Sequence, residues 1–192
     1  VRGAATEKEK AIFTDLLGAG SFFSTGNKNL ITGAGSALSI ESIESAMKLF
    51  YDRTDSNGDP ILVNTAYLLV GTGLRTLATQ IARETTIEVA RPGTKSTAAQ
   101  FRSNPHAGLF EPVSSPFINS QGIENSSSTA WWLFADPNDI PVIEIAYLRG
   151  ARRPFIESAE TDFTTLGMQW RAYHDFGTAL QDNRGGVRSN GA

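Results

Sequence analysis

The sequence predicts an α+β fold. Helical patterns dominate the first third of the chain, strand patterns dominate the last third, and the middle combines both. Separate blocks of helices and strands are typical of α+β proteins rather than of doubly wound parallel sheets. The chain has 192 residues, of which 40% are hydrophobic and 19% are charged. This composition is ordinary for a globular protein and is sufficient to bury a core.

Two helices are predicted before residue 54. Thr6 and Glu9 have the spacing of a capping box, and the apolar residues that follow predict a helix over Thr6–Leu17. Ser39 is placed to cap a second helix. One apolar face of that helix carries residues at helical spacing, namely Ile40, Ile43, Met47 and Phe50. The Gly-rich stretch between the helices, residues 18–36, has little periodicity and is predicted to be an extended or mobile arm.

The acidic stretch 52–60, with sequence DRTDSNGDP, resembles a calcium loop at first sight. In the register that an EF-hand requires, Arg53 and Asn64 occupy positions that need carboxylates. We therefore expect a solvated turn rather than a metal site.

Strand patterns follow this turn. Tyr67–Val70 is a short apolar run, Thr72 is placed to cap a helix, and Thr85–Val89 is again strand-like. Residues 91–110 are polar and predict a surface excursion. The last third predicts strands over Trp131–Ala135, Pro141–Leu148, Phe155–Ile156 and Met168–Phe176. In the last of these, alternation predicts one drier face, formed by Met168, Trp170, Ala172, His174 and Phe176.

The residue inventory excludes several kinds of chemistry. The chain has no Cys, which excludes disulfides, thiolate nucleophiles, iron–sulfur ligation and Cys-based zinc sites. His106 lies in a turn-prone loop and is predicted to be exposed, and His174 is predicted at the edge of the core. No common catalytic or phosphate-binding motif occurs. We predict no catalytic, cofactor-binding or metal site, and no enzyme activity.

Net charge and hydropathy limit the kinds of partner that we expect for this chain. The net charge of −3 does not indicate a protein that coats nucleic acid through its overall field. No run of 18 apolar residues is present and the N-terminus lacks an apolar signal core, so we expect no membrane partner.

Two groups of residues are predicted to contact another surface. Only one of Trp131 and Trp132 can face inward from a strand with one dry face, so the other is assigned to an interface or to a ligand platform. Basic residues stand close to acidic ones near residue 155, which suits ion pairs between subunits. The candidate intersubunit contacts are Arg149, Arg152, Arg153, Glu157, Glu160, Asp162 and Trp132. Two alternatives remain open, a hydrolytic enzyme of unknown type and a β-rich ligand-binding module.

Five ordered blocks carry a resemblance to a known family: SALSIESIESAMKLFYDRTDSNGDPI, YLLV, NPHAGLFEPVSSPFI, AWWLFADP, and DFGTALQDNRGG followed by NGA. In these blocks the chain resembles the major head (capsid) proteins of Mu-like phages and prophages, which have the Hong Kong 97-type capsid fold. Gly71 departs from the pattern, because the family usually has Pro after the YLLV strand.

The resemblance implies an N-terminal helix and Gly-rich arm over residues 1–38. It also implies a peripheral lobe over 39–60 and 124–192, with a spine helix at Ser39–Arg53, and an axial lobe over 61–123. The implied subunit forms pentamers and hexamers of an icosahedral shell around viral DNA, without sequence-specific nucleic-acid binding. Portal, scaffold and protease proteins are candidate partners during assembly in the bacterial cytoplasm, and the mature location is the virion. Val1 fits either a maturation cleavage or an artificial boundary.

Overall fold

The computed structural model describes residues 2–89, 100–160 and 167–191. In chain order, its helices and strands are α1 (Arg2–Gly18), β1 (Leu30–Ile31), α2 (Ile40–Tyr51), β2 (Thr65–Gly71), α3 (Arg75–Arg83), β3 (Thr86–Val89), β4 (Gln100–Ser103), β5 (Glu111–Ser115), β6 (Trp131–Ala135), β7 (Ile143–Tyr147), β8 (Phe155–Glu160), β9 (Met168–Tyr173), β10 (Phe176–Leu180) and β11 (Gly186–Ser189). The prediction of a mixed helix-and-sheet protein is confirmed.

A five-stranded sheet with the order β1-β11-β6-β2-β5 organises the described residues. β6 is the central strand and runs antiparallel to both β11 and β2, whereas the two outer pairs are parallel. Strands from both predicted lobes therefore belong to one sheet, since β2 and β5 lie within residues 61–123 and β6 and β11 lie within 124–192.

One face of the sheet packs against α2 and α3. Ser39 caps α2 as predicted, and its hydroxyl accepts a hydrogen bond from the Ser42 amide. The apolar face of α2 is buried through Ile43, Met47 and Phe50, so this prediction is confirmed. In α3 the buried residues are Ala78, Ile81 and Ala82, whereas Leu77 is exposed. No side chain caps α3, so the prediction of a Thr72 cap is wrong.

The opposite face of the sheet packs against α1 and the stretch that follows it. The predicted helix at Thr6–Leu17 is confirmed, but α1 begins at Arg2, so Thr6 lies inside the helix and does not cap it. The prediction that residues 18–36 form an unpacked arm is wrong. Phe23 is buried against this face, and Asn29 and Ser36 have no exposed surface. The short strand β1, within the same stretch, pairs with β11.

Three two-stranded units complete the described structure, namely β3 with β4, β7 with β10, and β8 with β9. The predicted strand Met168–Phe176 is two strands, because β9 ends at Tyr173 and β10 begins at Phe176. We call the antiparallel pair β8 and β9 the ribbon. The predicted alternation is present, since Met168, Trp170 and Ala172 share one face of the ribbon, but all six residues of β9 are exposed, so this face is not a drier one in the described structure.

The stretch 52–60 is a turn, as predicted. The carboxylate of Asp55 accepts hydrogen bonds from the backbone amides of Asn57 and Asp59 at 2.8 and 2.9 Å. Gly58 has φ +90°, which other residues rarely adopt. Residues 91–99 of the predicted surface excursion lie outside the described residues, and β4 occupies part of the remainder.

The burial of α2 predicts a large cost for truncating its last core residue. Phe50 is completely buried, so Phe50→Ala should lower the free energy of unfolding by about 3–5 kcal/mol through lost transfer energy and a cavity. Urea denaturation measures this change in the free energy of unfolding. Tyr51→Ala is the matched control, since Tyr51 is 62% exposed on the same turn. A loss below about 1 kcal/mol for Phe50→Ala would show that α2 does not anchor the core.

Candidate intersubunit surface

A cluster of exposed arginines lies at the base of the ribbon. Arg149, Arg152 and Arg153 occupy the connection between β7 and β8, and all three are exposed. Arg149 has φ 53° and is followed by Gly150 with φ 72°, so the chain makes a sharp left-handed turn here. We call these three arginines the basic segment.

The basic segment does not pair with Glu157, the acidic neighbour in the described structure. Glu157 lies on β8 and accepts hydrogen bonds from Arg171 and Tyr173, which both lie on β9. In its ion pair with Arg171, the distance from Arg171 Nη2 to Glu157 Oε2 is 2.5 Å. The side chain of Glu160 and the whole of Asp162 lie outside the described residues. Among the side chains that the structure describes, no carboxylate forms an ion pair with the basic segment.

The ribbon has two faces of different chemistry. Residues opposite each other in an antiparallel pair lie on the same face. One face carries the stacked rings of Phe155 and Tyr173 and the ion pair of Glu157 with Arg171. The other face carries Ile156, Ser158, Met168, Trp170 and Ala172, and Glu160 is paired with Met168 at its end. We call this the apolar face of the ribbon.

Trp132 is not part of the surface, contrary to prediction. Trp131 and Trp132 are both completely buried, because the sheet is covered on both faces and each ring enters a different core cluster. The Trp131 indole donates a hydrogen bond to the Ser36 carbonyl at 2.9 Å, and the Arg188 guanidinium lies 5.6 Å from the Trp132 ring. Neither ring is accessible to a ligand, so the alternative of an aromatic binding platform is also excluded.

Both histidines contact other groups of the same chain. His106 is only 2% exposed, so the prediction of an exposed loop histidine is wrong. Its Nε2 lies 3.6 Å from a carboxylate oxygen of the exposed Glu44. His174 is half-buried between β9 and β10, where its ring stacks on Tyr147 and its Nε2 lies 3.2 Å from the Ala151 carbonyl oxygen. His174 thus connects the base of the ribbon to the basic segment.

Arg53 is a buried cation that the sequence did not reveal. Its guanidinium donates hydrogen bonds to the carbonyls of Asn183 and Gly186 at 3.0 and 3.1 Å, and it lies 5.1 Å from the Phe50 ring. Burial lowers the pKa of Arg53 to about 10. The side chain therefore ties the end of α2 to the turn before β11. In that turn, hydrogen bonds from Arg184 lower the pKa of Asp182 below its usual range.

An apolar groove of about 260 Å³ opens where the sheet approaches its β5 edge. It continues the core cluster that contains Trp132, and residues from β2, β5, β6, β7 and the turn before β7 line it, including Tyr67, Leu69, Val113, Phe134, Ile140 and Ile143. Tyr67 and Val113 are more than one third exposed. We call this feature the groove.

Neither metal-site nor membrane-span geometry is found in the described chain. Across residues 2–89, 100–160 and 167–191, no three or more His, Asp or Glu side chains converge as a metal site would require. None of the helices in these ranges combines the length and apolar character needed to cross a bilayer.

Exposed arginines at the base of the ribbon and an exposed apolar face on the ribbon mark candidate interaction surfaces. A family model described as phage capsid protein matches residues 1–189. The chain belongs to this family, and it is a structural subunit of a phage capsid that resides in the virion. No curated relative matches the chain.

The contacts of Arg53 generate a stability prediction. Arg53→Met removes two charge-assisted hydrogen bonds, and each such bond contributes about 1.5–3 kcal/mol. We expect the free energy of unfolding to fall by at least about 2 kcal/mol in guanidinium titrations. The exposed Arg152→Met should change it by less than about 0.5 kcal/mol. Equal effects of the two substitutions would contradict an anchoring role for Arg53.

Proposed function

We propose that this chain is the major head subunit of a tailed phage or prophage of the Mu-like group, with the Hong Kong 97-type fold. Copies of the subunit associate as pentamers and hexamers and close an icosahedral shell around the viral DNA. The observation that carries this proposal is the match to the phage capsid family over residues 1–189. The five ordered sequence blocks support the more specific Mu-like assignment.

The exposed and unpaired basic segment supports a role for these arginines in contacts between subunits. Arg149, Arg152 and Arg153 are exposed, and no described carboxylate of the same chain neutralises them. An exposed ion pair within one chain contributes only about 0–1 kcal/mol. The same contact, repeated around a ring and partly dehydrated at each interface, decides whether the ring closes. We therefore assign the basic segment to a contact between subunits.

The other predicted features belong to this proposal. The peripheral lobe at 39–60 and 124–192 and the axial lobe at 61–123 stay predictions of the resemblance, as does the spine helix at Ser39–Arg53. Portal, scaffold and protease proteins are proposed partners during assembly in the host cytoplasm. Catalysis forms no part of the proposed role, and Glu160 and Asp162 stay predicted contacts.

A charge reversal tests the proposed role of the basic segment. Arg152→Glu with Arg153→Glu should leave the melting temperature nearly unchanged, because both side chains are exposed. The same double variant should abolish higher-order particles in light scattering and electron microscopy. The introduced carboxylates would then face the carboxylates of the neighbouring subunit and repel them.

The matched control is Arg75→Glu with Arg83→Glu, which makes the same change in net charge at exposed positions of α3. We expect normal particles from this control. Normal particles from the Arg152 and Arg153 variant would remove the basic segment from the interface. A wild-type chain that stays monomeric at high concentration would argue against the shell function for this chain.

A further inference from the structure

The apolar face of the ribbon has no partner within the described chain. Ile156 is 49% exposed, Met168 is 69% exposed and Trp170 is 65% exposed, and all three lie on this face. An isolated two-stranded ribbon is at best marginally stable in water. Exposed apolar surface of this kind marks an interaction site. We therefore expect the ribbon to be stabilised when another surface covers its apolar face.

The groove lining is apolar, and three acidic residues stand next to lining residues; we call Glu111, Asp136 and Asp139 the acidic rim. Val113 lines the groove from β5, and Glu111 lies on the same face of that strand because side chains alternate along it. Asp136 and Asp139 are exposed in the turn between β6 and β7, which also supplies Ile140 to the groove lining. The groove therefore combines an apolar floor with exposed carboxylates beside it.

The ribbon and the groove are complementary in both respects. The ribbon presents an apolar face that includes a large aromatic ring, and the groove presents an apolar cavity. The ribbon begins at the unpaired basic segment, whereas carboxylates lie beside the groove. Among the residues that the structure describes, nothing covers the ribbon's apolar face or the groove side chains Tyr67 and Val113, which remain exposed.

We propose that the apolar face of the ribbon of one copy docks into the groove of a neighbouring copy, with Arg152 and Arg153 against the acidic rim. This inference rests on the proposed function, because it names the partner as a second copy of the same subunit. Two different patches meet in this contact, so it is heterologous and repeats around a ring. Apolar contact contributes affinity, and the charges select the register.

Two single-cysteine variants test this contact, since the chain has no cysteine of its own. Ser158→Cys places a thiol on the apolar face opposite Trp170, and Val113→Cys places one in the groove. The two variants are mixed under assembly conditions and treated with a short bis-maleimide. Any link between positions 158 and 113 then joins two copies, and peptide mass spectrometry identifies it. We expect this link to be a major product.

Ala159→Cys is the matched control, because Ala159 is the next residue on β8 and lies on the opposite face of the ribbon. Mixed with Val113→Cys, it should give several-fold less cross-linking than Ser158→Cys. Equal yields from positions 158 and 159 would overturn the proposed docking face. Particles that form without a 158–113 link would overturn the docking inference and leave the shell function intact.

A substitution of the docking ring gives an independent measurement. Trp170→Ser should lower particle yield several-fold and leave the melting temperature of the monomer unchanged, because the ring is exposed there. Tyr51→Ser removes a similarly exposed ring outside the ribbon and the groove, and it should assemble normally. Normal assembly of Trp170→Ser would overturn the inference. A wild-type chain that never associates would overturn the proposed function and the docking inference together.

Discussion

The central strand β6 imposes the main constraint on this structure. It pairs with β2 on one side and β11 on the other, and its adjacent tryptophans, Trp131 and Trp132, point into two different core clusters. Two large aromatic rings on opposite faces require that both faces of the sheet be covered. α2 and α3 cover one face, and α1 with the stretch that follows it covers the other. The positions of α1, α2 and α3 therefore follow from burying one late strand.

Local patterns were sufficient where a residue's partners are close in sequence. Ser39 caps α2 through Ser42, and the buried residues Ile43 and Phe50 follow the helical period, so α2 could be predicted. The stretch 18–36 could not, because its packing depends on distant partners. The amide of Asn29 reaches the carbonyl of Asn183, and a Gly-rich sequence without such a contact is indistinguishable from a free arm.

Periodicity in the last third revealed a face but not what covers that face. Alternation over 168–176 correctly separated Trp170 from its neighbours, yet the structure leaves the ring exposed. Trp132 was assigned to an interface and is buried, because the sequence does not show that a strand is covered on both sides. Likewise, the sequence does not show that a Cβ at Gly71 would meet the side chain of Asn119, which would have to move. Of the candidate contacts, Arg149, Arg152, Arg153 and Glu157 are exposed charges as their chemistry suggests, but the sequence did not show which groups they pair with.

The contacts that stabilise the fold and the surfaces that we propose for assembly lie in different parts of the structure. Buried contacts such as those of Arg53 and the two core clusters stabilise the subunit before it meets another copy. The ribbon and the basic segment contribute little to that core, because they are exposed. Contacts made outside the core can form and break without unfolding the chain. In the assembly that we propose, an interface outside the core can be released without unfolding the subunit, so that misplaced contacts between subunits can be corrected.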